Sequence, residues 1–99
     1  MLFRSLKIET TNYLALLNRA IAYLRNDKLD AARQDYEAAY KLKPSDYRLD
    51  YGLAEIAYRQ KDTNSAIQHY ELYLSKNPPS AQEVEFVKNR LKELKQGSN

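Results

Sequence analysis

Between Asn12 and Lys43, apolar side chains recur at intervals of three and four residues, and the same arrangement returns between Asp46 and Pro78. Such spacing lines them up on one stripe of an α-helix. Tyr13, Leu14, Leu16, Leu17, Ala20, Ile21, Tyr23 and Leu24 predict a first helix, capped by Thr10, Thr11 or Asn12. Its apolar face covers more than half the circumference, so it needs two packing partners. Asn26-Asp27-Lys28 breaks the pattern. A second helix is predicted from Leu29 or Asp30 to Leu42, with Ala31, Ala32 and Ala39 and the larger Leu29, Tyr36, Tyr40 and Leu42 facing inward. Small residues there let two helix axes approach closely.

Pro44 ends that helix, because proline lacks an amide hydrogen and restricts the residue before it. Ser45 or Asp46 then caps a third helix over 47–59 that buries Leu49 or Tyr51, Leu53, Ala54, Ile56 and Ala57. Lys61-Asp62-Thr63-Asn64 reads as a turn, and a fourth helix over 64–75 carries Ala66, Ile67, Tyr70, Tyr73 and Leu74 up to Pro78-Pro79. Ser80 followed by Glu83 forms a capping box, the carboxylate returning to the cap's own N–H, so a fifth helix starts near Ala81. On it Val84, Phe86 or Val87, Leu91 and Leu94 repeat at helical spacing, while Glu85, Lys88, Asn89, Arg90, Lys92, Glu93 and Lys95 make a solvated face. One wet face suits a terminal capping helix. Met1 to Ile8 carries Leu2, Phe3, Leu6 and Ile8 and is either the remnant of a preceding helix or an unstructured terminus. Gly97-Ser98-Asn99 reads as a frayed end.

Composition agrees with helices. Ninety-nine residues suffice for one domain, burying about 60 to 65% of the unfolded chain's surface. With 43% hydrophobic and 29% charged residues, two Gly and three Pro, the chain is too apolar for disorder and too poor in breakers for a β-sandwich. Nine Tyr point to large rings packed between helices with hydroxyls near water. The formal charge of +3 is small and the signs alternate, which argues against a phosphate-binding surface. No cysteine is present, so no thiol nucleophile, disulfide or Cys metal site is available. The chain has neither the apolar run of a membrane span nor the apolar centre of a signal peptide. The compartment stays open, with the cytoplasm favoured.

The repeated pattern resembles the tetratricopeptide repeat, a 34-residue helix-turn-helix. Leu16, Arg19-Ala20, Tyr23, Ala32, Tyr36, Ala39 and Pro44 fall on the family's positions in one copy, and Asp50, Leu53-Ala54, Ala57, Ala66, Tyr70, Tyr73 and Pro78 in the next. Asp50 where an aromatic is usual, Arg19 for Leu and Tyr73 for Ala depart from the pattern. The resemblance implies an all-α antiparallel helix-turn-helix superhelical array of about five helices with a C-terminal capping helix. The single domain 1–99 would divide into a possible remnant of a preceding repeat at 1–9, repeats at 13–46 and 47–80, and the cap at 81–96. The Tyr-Leu-x-x-x-Pro run from Tyr73 to Pro78 and the charged helix after it are similar to bacterial members.

Family members share a scaffold and differ in ligand. The resemblance implies non-catalytic binding of a peptide or partner helix in the concave groove. The surface transferred to this chain is Leu17, Asn18, Ile21, Leu24, Arg48, Tyr51, Glu55, Tyr58 and Arg59. Gly52 and the far-end residues Gln82, Glu85, Phe86 and Asn89 would border it. The two Tyr with Arg48 and Arg59 suit an apolar or acidic peptide. The rival reading is a regulatory or assembly domain of a larger protein, docking or forming a homo-oligomer through the first helix. A chaperone-tail clamp is disfavoured, since Gly52 stands where a basic residue belongs. No catalytic residues, metal, cofactor, nucleic acid or membrane span are expected. His69 stands without a metal-ligand pattern and reads as a partly exposed structural side chain. Asp27, Asp30, Asp46 and Asp50 read as caps and first-turn residues.

Overall fold

The computed structural model describes the backbone of residues 2–97 and the side chains of residues 12–97. Five helices and no strands occur among the described residues: α1 (Leu2–Arg25), α2 (Leu29–Leu42), α3 (Tyr47–Arg59), α4 (Thr63–Ser75) and α5 (Ala81–Gly97). The all-α hairpin expectation holds. The chain divides into two compact units, Met1–Ser45 and Asp46–Asn99.

In the first unit α1 packs on α2. Tyr13, Leu17, Ala20 and Leu24 are the buried stripe of α1, and Ala32, Tyr36 and Ala39 that of α2. Two expectations fail here. The first helix does not begin at a cap near Thr10, because its backbone runs unbroken from Leu2, and no Pro or Gly interrupts residues 2–25. The side chains on which the remnant reading of 1–9 depends lie outside the described residues. Leu42, expected inward, is about half exposed, since it falls beside the Ala32–Tyr36–Ala39 stripe. The apolar face of α1 is also narrower in use than in sequence. Leu14 is left 45% exposed.

The α1–α2 turn closes by a Schellman motif, with Lys28 N–H to the Tyr23 carbonyl at 2.9 Å and Asp27 N–H to the Leu24 carbonyl at 3.0 Å. The α3–α4 turn repeats it 34 residues later, with Asp62 N–H to Ala57 at 2.9 Å and Lys61 N–H to Tyr58 at 3.1 Å. The left-handed residue is Asp27 (φ 61°) in one and Lys61 (φ 62°) in the other. Neither is the glycine this position favours.

In the second unit α4 packs against both α3 and α5. Ala54, Ala57, Ala66, Tyr70, Tyr73, Val87 and Leu91 form one buried cluster, flanked by Tyr47, Tyr51, Ile67, Leu74, Val84 and Leu94. Ala54 and Ala66 are both fully buried in it. Asp46 caps α3 as expected, and Asp62, read from sequence as part of a turn, caps α4. Asp46 accepts from Arg48 N–H at 2.9 Å, and Asp62 from Ser65 N–H at 3.3 Å. The capping box at α5 is only half formed. Ser80 Oγ accepts from Glu83 N–H at 3.2 Å, but the Glu83 carboxylate takes the Tyr73 hydroxyl at 2.7 Å instead of turning back to Ser80. That hydroxyl is the stronger claimant, because the Tyr73 side chain is wholly buried and needs an acceptor.

Candidate functional site

No Cα atoms of α3 and α5 lie within 8 Å of each other, so the two helices border a groove floored by α4. Tyr51, Glu55, Tyr58 and Arg59 recur at helical spacing along α3, and Phe86, Arg90 and Leu94 at i, i+4 and i+8 along α5. Arg90 spans the gap. Its Nη1 donates to Glu55 Oε2 at 2.6 Å and approaches the Tyr70 hydroxyl oxygen at 3.1 Å. The Tyr70 hydroxyl itself donates to the same Glu55 oxygen. The guanidinium carbon lies 3.8 Å from the Tyr58 ring centroid and 4.5 Å from that of Phe86. A cation between two aromatic faces and a carboxylate is held by dispersion, quadrupole attraction and charge together.

On one side of this bridge Tyr58, Arg59, Lys61, Thr63 and Leu94 line a cleft of about 530 Å³. On the other, Tyr51, Ser80, Gln82, Glu83 and Phe86 line an open depression of about 370 Å³. The first is basic and apolar; the second carries a carboxylate. Tyr58 and Phe86 stand out as large apolar side chains 41% and 42% exposed. Tyr51 is half-buried and packs its ring against Tyr73 at 5.7 Å.

Burial and the Glu55 acceptor push the Tyr70 hydroxyl well above the ordinary phenol range. Burial and Glu83 do the same to Tyr73, and burial raises Tyr51. The Tyr70 and Tyr73 phenols stay neutral donors that fix the floor.

The residues transferred from the family pattern fare differently. Tyr51, Tyr58 and Arg59 sit on the groove. Glu55 faces it too, but its side chain is only 13% exposed and is committed to Arg90. Arg48 is exposed yet folded back on its own cap, Nη2 to Asp46 Oδ2 at 2.7 Å. In the first unit Leu17 and Leu24 are buried and offer a partner no surface, while Asn18 is exposed and Ile21 half-buried. Arg90, read from sequence as part of a solvated face, is a correction: its side chain is 18% exposed because Glu55, Tyr58 and Phe86 enclose it. The missed signal was the Phe86-x3-Arg90-x3-Leu94 spacing.

Asp50 stands in the first turn of α3 as expected, but the sequence did not show that its carboxylate is buried and ion-paired. It is fully buried and accepts from Lys76 Nζ, with His69 Nδ1 3.2 Å from its other oxygen. His69 is the partly exposed structural side chain expected. Arg19, the family's departure in the first unit, is matched by Asp35 at 2.6 and 2.9 Å. Among the described residues no three His, Cys, Asp or Glu side chains gather as a metal ion requires. No described helix is long and apolar enough to cross a membrane.

A family model described as tetratricopeptide repeat matches residues 17–81. The chain is also 34% identical, over 83 residues, to the tetratricopeptide repeat and J domain-containing co-chaperone DNJ1 of Fusarium oxysporum f. sp. lycopersici. That match covers 84% of this chain but only 16% of the co-chaperone's length.

Proposed function

This chain belongs to the tetratricopeptide repeat family, and from that premise we propose that it is a non-catalytic recognition module whose ligand, a protein segment or helix, lies along the α3–α5 groove. The observation that carries the reading is the pair of half-exposed aromatic faces, Tyr58 and Phe86, held apart by Arg90. Rings already fixed in place lose little freedom on binding, which is why preformed aromatic clefts bind well. The basic cleft beside Arg59 and Lys61 and the Glu83 side give the groove a direction. A partner with an acidic or apolar end near Leu94 matches it. The relative's standing as a co-chaperone supports a protein as the partner. Nucleic acid is disfavoured, because Arg90 and Lys95 on α5 are paired with Glu55 and Glu71.

Panning a random dodecapeptide phage library on the chain and titrating the enriched peptides tests this. Tyr58→Ala and Phe86→Ala are each expected to weaken binding by roughly tenfold or more, with the melting temperature recorded alongside. Affinity indifferent to both substitutions removes the groove as the site.

The rival reading, docking or self-association through α1, is supported by Leu14, a large side chain left 45% exposed on that helix. Sedimentation of Leu14→Glu against the unaltered chain decides it. A monomer in both cases ends self-association through α1.

A further inference from the structure

The α5 helix is joined to its own hairpin through a joint that violates two local preferences at once. Asn77 sits in the left-handed region at φ 53°, which asparagine enters at less cost than other residues with a Cβ but at more than glycine. It also precedes Pro78, and a residue before proline is pushed by the ring toward extended backbone. Both preferences are relieved by the same change, Asn77 turning extended. Pro79 follows and resists any helical alternative.

The joint is short and its borders are pinned. Before it, Lys76 is tied to buried Asp50. After it, Ser80 already starts α5, its carbonyl accepting from Val84 N–H at 2.9 Å and its hydroxyl from Glu83 N–H at 3.2 Å. A change confined to 77–79 therefore swings α5 as a rigid body, and a straightened 76–80 linker reaches on the order of 15 Å.

The attachment that α5 would leave is one apolar seam, to which Val84 and Leu94 also contribute, with Glu83 and Lys95 bonded to Tyr73 and Glu71 of α4. Its wholly or nearly buried side chains are Val87 and Leu91. Towards α3 it has no backbone contact, only the Arg90 guanidinium in the Glu55–Tyr58 slot. Released, α5 would bare that apolar seam and leave Glu55 and Tyr70 without their cation. A partner that restores every one of these contacts is an α5 of identical sequence, and short strained hinges favour such exchange.

We propose that α5 exchanges between two copies of this chain, each copy's Val87, Leu91 and Arg90 docking on the other's α3–α4 surface. Closed monomer and exchanged dimer share the same interface, so their balance is set by concentration and by the hinge. The Arg90 slot governs the rate instead, because it must empty in either direction.

The chain lacks cysteine, and Glu71 and Lys95 are exposed, 2.7 Å apart across α4 and α5. Two single variants, Glu71→Cys and Lys95→Cys, are mixed at millimolar concentration, incubated, diluted and treated with a short bismaleimide. Exchange yields a covalent heterodimer above the homodimer background of Glu71→Cys alone. The double variant Glu71→Cys/Lys95→Cys, kept dilute, is expected to link within one chain and confirms the reach. Adding Arg90→Ala should speed the approach to equilibrium by roughly tenfold, and Asn77→Gly should lower the exchanged fraction several-fold by relaxing the hinge. Leu14→Glu in both variants is expected to leave the heterodimer in place, which separates α5 exchange from association through α1. A heterodimer no more abundant than background, with the double variant linking normally, overturns the proposal.

Discussion

Asp50 and Lys76 form an ion pair between α3 and the end of α4 in which the carboxylate is wholly buried and the lysine side chain partly so. Leu16 and Leu42 stand 34 residues earlier, at the equivalent places of the first hairpin. The first hairpin thus carries a half-buried and a half-exposed leucine at the places where the second sets a carboxylate against an ammonium. Burying a pair of charges gains little net stability over apolar side chains, whereas removing one partner strands the other.

Lys76→Leu is accordingly expected to destabilise the chain by about 3–5 kcal/mol, because the wholly buried Asp50 carboxylate loses the ammonium that faces it. The double change Asp50→Leu/Lys76→Leu should recover most of that loss. Urea midpoints of the two singles and the double give the coupling directly. Additive losses would mean the pair is not acting as one unit.

The left-handed turn residue Lys61 offers a change of opposite sign. With φ at 62° its Cβ is crowded, so Lys61→Gly should stabilise by about 0.5–1 kcal/mol. Thermal unfolding should shift upward by a few degrees for a chain of 99 residues. A lowered midpoint would show that the Lys61 stem contributes packing that outweighs the backbone strain.

High pH should unfold the second unit in a way traceable to its tyrosines. In the folded chain the Tyr70 and Tyr73 hydroxyls keep their protons well past the ordinary phenol value of 10.0, and burial raises Tyr51 in the same direction. The unfolded chain releases those protons near that value and so binds fewer of them above it. Stability is therefore level below about pH 10 and falls above it, by about 1.4 kcal/mol per pH unit for each such tyrosine. Tyr70→Phe should lower stability at neutral pH, because Glu55 and Arg90 lose a partner, yet flatten the alkaline decline by one proton. Unfolding curves from pH 7 to 11.5 separate the two effects.

The helices and, apart from the start of α1, their ends were legible because each depends on neighbours in sequence. Pro44, Asp46, Asp62 and Pro78 act within one turn, and the apolar intervals needed only the helix period to show which face turns inward. The groove was half legible. The family resemblance placed Tyr51, Tyr58 and Arg59 on the groove, but Glu55 and Arg48 could not be recognised as already engaged.

What the residues determined by themselves is the all-α, twice-repeated hairpin with its cap helix, since backbone hydrogen bonds, caps and the 3.6-residue period are local. What only the tertiary structure decided is the pairing of side chains far apart in the chain: Arg19 with Asp35, Asp50 with Lys76, Tyr73 with Glu83, Arg90 with Glu55 and Tyr58. A charged residue at a helical position reads as solvated until the opposing helix is in place. Arg90 changed from a surface cation to the bridge of the groove because two aromatic rings and a carboxylate, up to 35 residues away, meet it across α4.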